Sequence, residues 1–206
     1  LTTLIYAETP KLLFIGDSLT AGFGLATNQA FPALVEQKLG TENIMVINAG
    51  SSGDTTFSLL NRLEWTMNQV SPNIVFFCIG ANDGLRGFDL SVTQTNIEKI
   101  INKLRSYNVK LYMAGISLPK NYSDDYIKSF EQLQQVLATK NDIPYLPFLL
   151  TGVAGVPELN LADKIHPNEL GHELIAETVY EFLVSNNILE NNVSIDDTPS
   201  LNSKLD

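Results

Sequence analysis

The segment Lys11-Leu12-Leu13-Phe14-Ile15-Gly16-Asp17-Ser18-Leu19-Thr20-Ala21-Gly22 indicates both the fold and the chemistry of the chain. Its first half is a continuous apolar run, which is typical of a strand buried on both faces of a sheet. Its second half places Ser18 among glycines, where the strand ends and the backbone turns. A serine hydroxyl becomes an effective nucleophile only beside a base, a group that orients the base, and donors for the oxyanion that forms. A nucleophilic Ser18 therefore requires those three groups elsewhere in the chain.

Apolar runs and helical patterns alternate along the rest of the chain. Strands are predicted at residues 11–15, 44–47, 74–79, 109–114 and 145–149. Helices are predicted at residues 31–39, 55–70, 91–104, 123–140 and 168–185, with Thr55 or Thr56, Ser91, Ser123 and Asn168 as N-caps of the last four. This alternation predicts an α/β fold in which helices cover both faces of a mostly parallel five-stranded sheet. A first strand placed between the second and third would make the loops after these three strands neighbours in space.

Composition limits the classes of function. The chain has 206 residues, 44% of them hydrophobic, and a formal net charge of −10. The length allows one domain with a substantial core, and the negative charge argues against nucleic acid and anionic lipid surfaces as partners. No run is long and apolar enough to cross a bilayer, so we expect no stable membrane insertion. The single cysteine, Cys78, lies in an apolar run and is expected in the core, and a structural zinc site is not expected.

We expect a single folded domain at residues 11–186, flanked by two tails. Residues 1–10 form an N-terminal tail with a mildly apolar start, and either a remnant of a cleaved signal peptide or an ordinary tail fits it. This tail lacks a basic region, and Ile5 stands where a small residue is preferred before a cleavage site. Residues 190–206 are rich in Asn, Asp and Ser without periodicity, so we expect a loose C-terminal tail over residues 187–206.

Two histidines are candidates for the base. Asp163 precedes His166 by three positions, and Pro167 stiffens the turn that follows. A carboxylate that accepts a hydrogen bond from one ring nitrogen leaves the other nitrogen free to take a proton. We therefore predict His166 as the base and Asp163 as the group that orients it. The rival, His172, falls inside the predicted last helix, where an exposed position is expected.

Gly53 and Asn82 are candidates for the oxyanion donors, because each lies in a loop that follows a predicted strand. A glycine lets its N–H approach a substrate oxygen closely, and an asparagine amide is a directional donor that does not titrate. Each residue alone is equally consistent with a simple turn, and their combination with Ser18 favours the oxyanion role. Thr20 stands where the G-x-S-x-G motif has its second glycine, so the nucleophile elbow of the α/β-hydrolases is not expected.

Four segments resemble, in order, the four conserved blocks of the SGNH (GDSL) hydrolases. They are Gly-Asp-Ser-Leu at residues 16–19, Gly53, Gly-Ala-Asn-Asp at residues 80–83 and Asp-Lys-Ile-His at residues 163–166. Four longer strings are similar to those of the bacterial thioesterase I, lysophospholipase and arylesterase group: NDGLRGF at 82–88, LPKNY at 118–122, YLPF at 145–148 and IHPN at 165–168. Ala81 replaces a glycine that many members of that group carry.

The resemblance implies a flavodoxin-like, three-layer αβα fold, the SGNH hydrolase fold. It implies hydrolysis of carboxylic esters, and of acyl thioesters or lysophospholipids, without a cofactor or a metal. The implied catalytic triad is Ser18, His166 and Asp163, with an acyl-enzyme intermediate, and the implied oxyanion hole is Ser18, Gly53 and Asn82. The partner would be a small acyl ester or thioester, and we expect a monomer. A periplasmic or secreted location is also implied, with a cytoplasmic location left open.

The loop at residues 84–90 corresponds to a loop of the family that moves over bound acyl chains. The candidates for substrate contacts in it are Gly84, Leu85, Arg86 and Phe88. Two glycines around apolar side chains fit a mobile lid, and Arg86 could meet an anionic head group. A plain surface loop is the alternative.

Three other functions fit parts of the sequence. Residues 18–22 could form the phosphate loop of a flavin-binding protein, because flavodoxin-like sheets bind FMN at this edge. Asp17, Asp83, Asp163 and His166 could hold the metal of a metal-dependent hydrolase. Within the resembled family, a carbohydrate O-acetylesterase is the third alternative. The residues leave the acyl-chain length and the leaving group open.

Overall fold

A computed structural model describes residues 9–41 and 44–188, so most of each expected tail lies outside the described residues. The sheet has five parallel strands in the order β2-β1-β3-β4-β5. The strands are β1 (Lys11–Gly16), β2 (Met45–Gly50), β3 (Ile74–Cys78), β4 (Lys110–Ala114) and β5 (Tyr145–Leu146). The first strand thus lies between the second and third, which brings the loops after these strands to one edge.

Seven α-helices connect and cover the strands in the described part of the chain. They are α1 (Ser18–Ala21), α2 (Phe31–Leu39), α3 (Thr56–Val70), α4 (Ala81–Leu85), α5 (Leu90–Arg105), α6 (Asp124–Lys140) and α7 (Glu169–Ser185). Helices α2 and α7 pack on one face of the sheet, and α3 and α5 pack on the other, with α6 beside α5. The predicted three-layer αβα arrangement is confirmed. None of the helices in residues 9–41 and 44–188 is long and apolar enough to span a membrane.

Strand β1 shows why the central strands read as unbroken apolar runs. Leu12 and Phe14 pack into the core on the α2 and α7 side, and Leu13 and Ile15 pack into the core on the α3 and α5 side. All four side chains are at most 1% exposed. Burying a large aliphatic or aromatic side chain stabilises the fold by about 1.5–3 kcal/mol, so both faces of this strand contribute.

Several predicted element boundaries are confirmed and others are wrong, including the end of β2, which is Gly50 rather than residue 47. Thr55, Ser123 and Asn168 cap α3, α6 and α7 with their side chains. The predicted cap Ser91 lies inside α5, because the carboxylate of Asp89 caps this helix and accepts the Ser91 N–H at 2.8 Å. The fifth strand ends at Leu146 rather than residue 149, since Pro147 has no N–H to continue the ladder.

The packed chain continues to Ile188, two residues beyond the expected end of the domain. Ile188 is 1% exposed and belongs to the core on the α2 and α7 side. The Tyr112 hydroxyl donates to the Asn186 carbonyl at 3.1 Å, and the Lys110 ammonium donates to the Asn187 carbonyl at 2.9 Å. These bonds hold the end of the last helix against β4.

His172 is buried, so the expectation of an exposed position is wrong. Its side chain is 1% exposed, and its Nδ1 accepts the Phe31 N–H at 3.0 Å. This bond joins α7 to the first residue of α2, whose N–H has no partner inside its own helix. Burial lowers the pKa of His172 to about 4, and the nearby His166 adds to that effect.

The stability of the wild type should therefore depend on His172 at mildly acidic pH. The folded state keeps this imidazole neutral, whereas the unfolded chain binds a proton near pH 6.5, so stability falls as pH drops from 6.5 towards 4. Relative to a His172→Asn variant, which retains an acceptor but does not titrate, the wild type should lose about 1–2 kcal/mol between pH 7 and pH 5. Urea unfolding at both pH values measures this difference, and a constant gap between the two proteins would contradict it.

Candidate active site

Ser18, His166 and Asp163 form a continuous hydrogen-bonded chain at the carboxyl edge of the sheet. The Oγ of Ser18 lies 2.9 Å from Nε2 of His166, and Nδ1 of His166 lies 2.7 Å from Oδ2 of Asp163. Ser18 is the first residue of α1, directly after β1, whereas Asp163 and His166 come from the segment before α7. The sequence separates Ser18 from His166 by 148 positions, and the fold brings them together.

The second oxygen of Asp163 orients the backbone that carries His166. Oδ1 of Asp163 accepts the N–H groups of Ile165 at 2.9 Å and of His166 at 3.0 Å. Partial burial raises the pKa of this carboxyl, but the hydrogen bonds from His166 and Ile165 outweigh it and lower the pKa to about 2. Lys164, between Asp163 and Ile165, has φ of +61°. This left-handed conformation turns the N–H groups of Ile165 and His166 back towards Asp163. Asp163 is therefore a fixed anion beside His166.

Gly53 and Asn82 lie in adjacent loops at the same edge, and their positions are linked. A turn closed by the Asp54 N–H and the Ser51 carbonyl, 3.1 Å apart, contains Gly53 at φ +84°. A Cβ on Gly53 would meet no atom within 4 Å, so the backbone conformation, not space, favours glycine. The Asn82 amide donates to the Asp54 carbonyl at 2.9 Å, which leaves its second N–H for another acceptor.

Two backbone donors at this edge have no acceptor among the described residues. The N–H groups of Ser18 and Gly53 take part in no hydrogen bond within residues 9–41 and 44–188. Ser18 begins a helix, where the first N–H groups have no partner in the helix itself. Together with the amide of Asn82, these N–H groups are available to a ligand oxygen.

Arg62 of α3 holds the loop that carries Gly53, and it is not among the functional residues predicted from the sequence. Its Nε donates to the Asp54 carboxylate at 2.6 Å. Its Nη2 donates to the carbonyls of Ala49 at 2.8 Å and Gly16 at 3.3 Å, at the ends of β2 and β1. One guanidinium thus joins two strand ends to the residue whose carbonyl anchors Asn82. The signal in the sequence is limited to Arg62 being the one Lys or Arg in the predicted helix at residues 55–70.

Asp83 and Asp17 have structural partners. The Asp83 carboxylate accepts the N–H of Thr56 at 2.8 Å as well as its hydroxyl, so it ties α4 to the start of α3. Asp17 is 3% exposed and accepts the Leu19 N–H at 3.0 Å, capping α1. Burial raises the pKa of Asp17 to about 6, against the lowering effects of that N–H and of His166.

The described residues contain no cluster of side chains that could bind a metal ion. No three His, Cys, Asp or Glu side chains in residues 9–41 and 44–188 are grouped so that they could hold a metal ion. The set proposed for a metal-dependent hydrolase, Asp17, Asp83, Asp163 and His166, is therefore not brought together as one ligand group.

A cleft of about 950 Å³ opens beside Ser18 and His166. Its volume is in the range of small-molecule sites, and apolar side chains supply much of its wall. Phe23, which the sequence analysis did not select, packs its ring 4.4 Å from the His166 ring at 37°. A half-exposed aromatic ring therefore shields one side of the imidazole.

The four candidates for substrate contacts have different positions. Leu85 lines the cleft, while Gly84 is buried and packs against Leu118. Arg86 donates to the Gly53 carbonyl at 3.2 Å, and Phe88 is 40% exposed. Gly84 and Leu85 are helical, so only part of the expected loop is a loop.

Hydroxyls from the α6 side fix this segment. Tyr122 donates to the Leu85 carbonyl at 2.5 Å, and Tyr126 donates to the Phe88 carbonyl at 2.9 Å. The expected lid is therefore closely tied to its surroundings in this structure.

A family model described as GDSL-like Lipase/Acylhydrolase matches residues 14–174. The chain belongs to this family. It is 36% identical over 179 residues to "Esterase TesA" of Pseudomonas aeruginosa, covering 86% of this chain and 89% of that protein. It is also 36% identical over 177 residues to "Thioesterase 1/protease 1/lysophospholipase L1" of Escherichia coli K12, covering 86% and 85% of the two chains.

A solved structure supports the same assignment. The crystal structure of TesA superposes with a TM-score of 0.80 and 36% identity, covering 84% of this chain and 97% of that one. The prediction of the SGNH (GDSL) hydrolase family and of its fold is therefore confirmed. The family consists of lipases and acylhydrolases, so the chain is a hydrolase of the GDSL type.

The Arg62 contacts should contribute strongly to stability. Arg62→Met would remove three hydrogen bonds and leave the Asp54 carboxylate, whose side chain is 10% exposed, without its cation. We expect a loss of about 2–4 kcal/mol in the free energy of unfolding, measured with urea. The matched control is Lys103→Met, which breaks the exposed pair with Glu64 at 2.9 Å and should leave stability almost unchanged. Equal losses in the free energy of unfolding of the two variants would show that the Arg62 contacts stabilise the fold no more than an exposed ion pair does.

Proposed function

We propose that this chain is a serine esterase that hydrolyses carboxylic esters and acyl thioesters through an acyl-enzyme intermediate. The observation that carries the proposal is the hydrogen-bonded chain from Asp163 through His166 to Ser18, with heavy-atom distances of 2.7 and 2.9 Å, at the side of an apolar cleft. Relatives at 36% identity named as an esterase and as a thioesterase and lysophospholipase support the same reaction class.

In the first step, the Ser18 hydroxyl attacks the carbonyl carbon of the substrate and His166 takes the hydroxyl proton at Nε2. Asp163 keeps the other ring nitrogen protonated and stabilises the imidazolium that forms. Its low pKa supports this role, because the carboxyl stays ionised at neutral and mildly acidic pH. The proton on Nε2 then passes to the leaving alcohol or thiol, which departs and leaves an acyl group on Ser18.

The oxyanion of the tetrahedral intermediate lies where three donors can reach it. We propose that the N–H groups of Ser18 and Gly53 and the free amide hydrogen of Asn82 stabilise it. The support is that these backbone donors have no acceptor within the described residues and that the Asp54 carbonyl holds the Asn82 amide. Fixed donors need no reorganisation as charge develops, which is why such groups accelerate acyl transfer.

Deacylation repeats these steps with water as the nucleophile. His166 accepts a proton from water, the hydroxide attacks the acyl-enzyme, and Ser18 is released with its proton restored. Lysophospholipids belong to the proposed substrates, because they carry the same ester bond. We further propose that residues 11–186 act as a single hydrolase domain, as a monomer, in the periplasm or outside the cell.

The proposal is tested by replacing the nucleophile. Ser18→Ala should abolish hydrolysis of p-nitrophenyl butyrate, because it removes the hydroxyl that lies 2.9 Å from Nε2 of His166, while circular dichroism and thermal unfolding remain those of a folded protein. Ser129→Ala, an exposed serine on α6, is the matched control and should retain full activity. Full activity in Ser18→Ala would overturn the proposal. A loss of activity on chelation would favour the metal-dependent alternative, and a flavin spectrum in the purified protein would favour the flavin-binding one.

The role of Gly53 can be separated from its effect on stability. Gly53 and Gly152 have φ of +84° and +75°, and a Cβ on either would meet no atom within 4 Å. Gly53→Ala and Gly152→Ala should each cost about 1 kcal/mol of stability, because alanine is strained in this conformation. Only Gly53→Ala should lower kcat, by at least about tenfold, since a backbone rotation that relieves this strain moves its N–H away from the oxyanion. Similar kcat values in the two variants would remove Gly53 from the oxyanion hole.

A further inference from the structure

The three donors of the proposed oxyanion hole come from three different parts of the chain. Ser18 follows β1, Gly53 follows β2 and Asn82 follows β3, and these strands are neighbours in the sheet. Donors stabilise an oxyanion most when they are already in place, because no reorganisation is then needed as charge develops. A displacement of about 1 Å can lower the rate about a hundredfold. A group that fixes these three segments relative to one another therefore bears on the rate.

Arg62 bonds to all three of the segments that meet at this edge. Its Nη2 donates to the carbonyl of Gly16 at the end of β1, at 3.3 Å, and to the carbonyl of Ala49 in β2, at 2.8 Å. Its Nε donates to the carboxylate of Asp54, the residue after Gly53, at 2.6 Å. One guanidinium thus holds the ends of two strands and the turn that carries Gly53.

Asp54 extends this restraint to the third segment. Its carboxylate accepts from Arg62, and its carbonyl accepts the Asn82 amide at 2.9 Å. Asp54 is 8% exposed, so water has little access to these bonds. Gly53, directly before it, has φ of +84° and no side chain, so its own backbone restrains it little. The positions of the Gly53 N–H and the Asn82 amide therefore depend on how Asp54 is held.

Arg62 also balances the charge of Asp54. The two side chains are 26% and 10% exposed, so both are largely removed from water. Without the guanidinium, the carboxylate would remain as an unpaired anion next to Gly53 and would oppose the negative charge of the oxyanion. A lysine is not equivalent here, because an ammonium lacks the planar fork that bonds to a carboxylate and to carbonyls together.

We propose that Arg62 is a positioning residue of the reaction, which sets the geometry of the oxyanion hole through Asp54 and the ends of β1 and β2. This inference rests on the proposed serine esterase function and adds a residue to it. Arg62 does not line the cleft, so it acts on the rate through the groups that it holds. Every ester forms the same oxyanion, and the effect of Arg62 is therefore independent of the acyl group.

The first measurement separates kcat from KM. Arg62→Met should lower kcat by about ten- to hundredfold, because the displaced donors stabilise the oxyanion less. KM should change by less than about twofold, since the interaction is made in the transition state. The losses should be the same for p-nitrophenyl acetate and p-nitrophenyl butyrate, and Arg62→Lys should recover only part of kcat. Assays are made at a temperature at which circular dichroism shows each variant to be folded. Wild-type kcat in folded Arg62→Met would overturn the inference.

Leu104→Ala is the matched control for lost stability. Leu104 is fully buried in the last turn of α5, which ends where β4 begins, at the edge of the sheet opposite Ser18. Truncation of a buried leucine leaves a cavity and destabilises the fold strongly, as Arg62→Met should. The kcat of folded Leu104→Ala should nevertheless equal that of the wild type. An equal loss of kcat in the two variants would attribute the Arg62 result to reduced stability and overturn the inference.

A double-mutant cycle tests the connection through Asn82. The fold-loss of kcat caused by Arg62→Met should be at least about threefold smaller in the Asn82→Ala background, because part of its effect is already lost there. Equal fold-losses in both backgrounds would overturn the inference.

A second double variant separates position from charge. Arg62→Met/Asp54→Asn removes both charges of the pair, yet the turn still lacks its tether to the strand ends. Its kcat should therefore stay as low as that of Arg62→Met. Recovery to the wild-type kcat would show that Arg62 only neutralises Asp54 and would overturn the positioning role.

Ser18→Ala distinguishes a failure of this inference from a failure of the proposed function. An inactive Ser18→Ala variant together with a fully active Arg62→Met variant would overturn the inference and leave the serine esterase proposal intact. Full activity in Ser18→Ala would overturn the proposed function itself.

Discussion

The pairing of β1 with both β2 and β3 is the constraint on which the site depends. Gly16 at the end of β1 lies opposite Gly50 of β2 and Cys78 of β3, so the three strands end at one level. Neither Gly16 nor Gly50 has room for a side chain. A Cβ on Gly16 would lie 2.6 Å from the Cys78 carbonyl, and one on Gly50 would lie 2.2 Å from the Ala21 N–H. The bare backbone lets α1 cross the strand ends and places Ser18 between the loops of Gly53 and Asn82.

The groups that face the cleft are held by polar residues behind them. Arg62 and Asp54 connect the strand ends to the Asn82 amide, and Asp83 connects α4 to Thr56 at the start of α3. Ionised groups lose hydration when they are partly buried, so each is kept favourable by charge-assisted hydrogen bonds. Arg62 bonds to the backbone at the ends of β1 and β2, Asn82 bonds to the Asp54 carbonyl, and Asp83 bonds to the Thr56 N–H. These bonds tie together the segments that carry the site.

Local signals predicted the five strands and the five longer helices, because these elements depend on short stretches of sequence. Ser18, Gly53, Asn82 and the Asp163–His166 pair each follow a predicted strand or precede a predicted helix, and the sheet topology then gathers them. His172 was misjudged because helical periodicity does not reveal which neighbouring helix covers a position, and here α2 covers it. Arg62 was not predicted for a related reason, since two of its three acceptors are backbone carbonyls, which carry no sequence signature. At the start of α5, both Asp89 and Ser91 are suitable N-caps by residue type, and only the structure shows that Asp89 is the cap.

The contacts between β4 and the end of α7 determine where a fusion partner or a solid support can be joined to the folded region. Asn187 bonds to Lys110 at the amino end of β4, and β1 starts at Lys11 on the same edge of the sheet. Parallel strands place this edge opposite the loops around Ser18. Fusion partners, affinity handles or a solid support joined through either end of the folded region would therefore sit on the side away from the cleft. Immobilised enzyme should then present an unobstructed entrance to substrate.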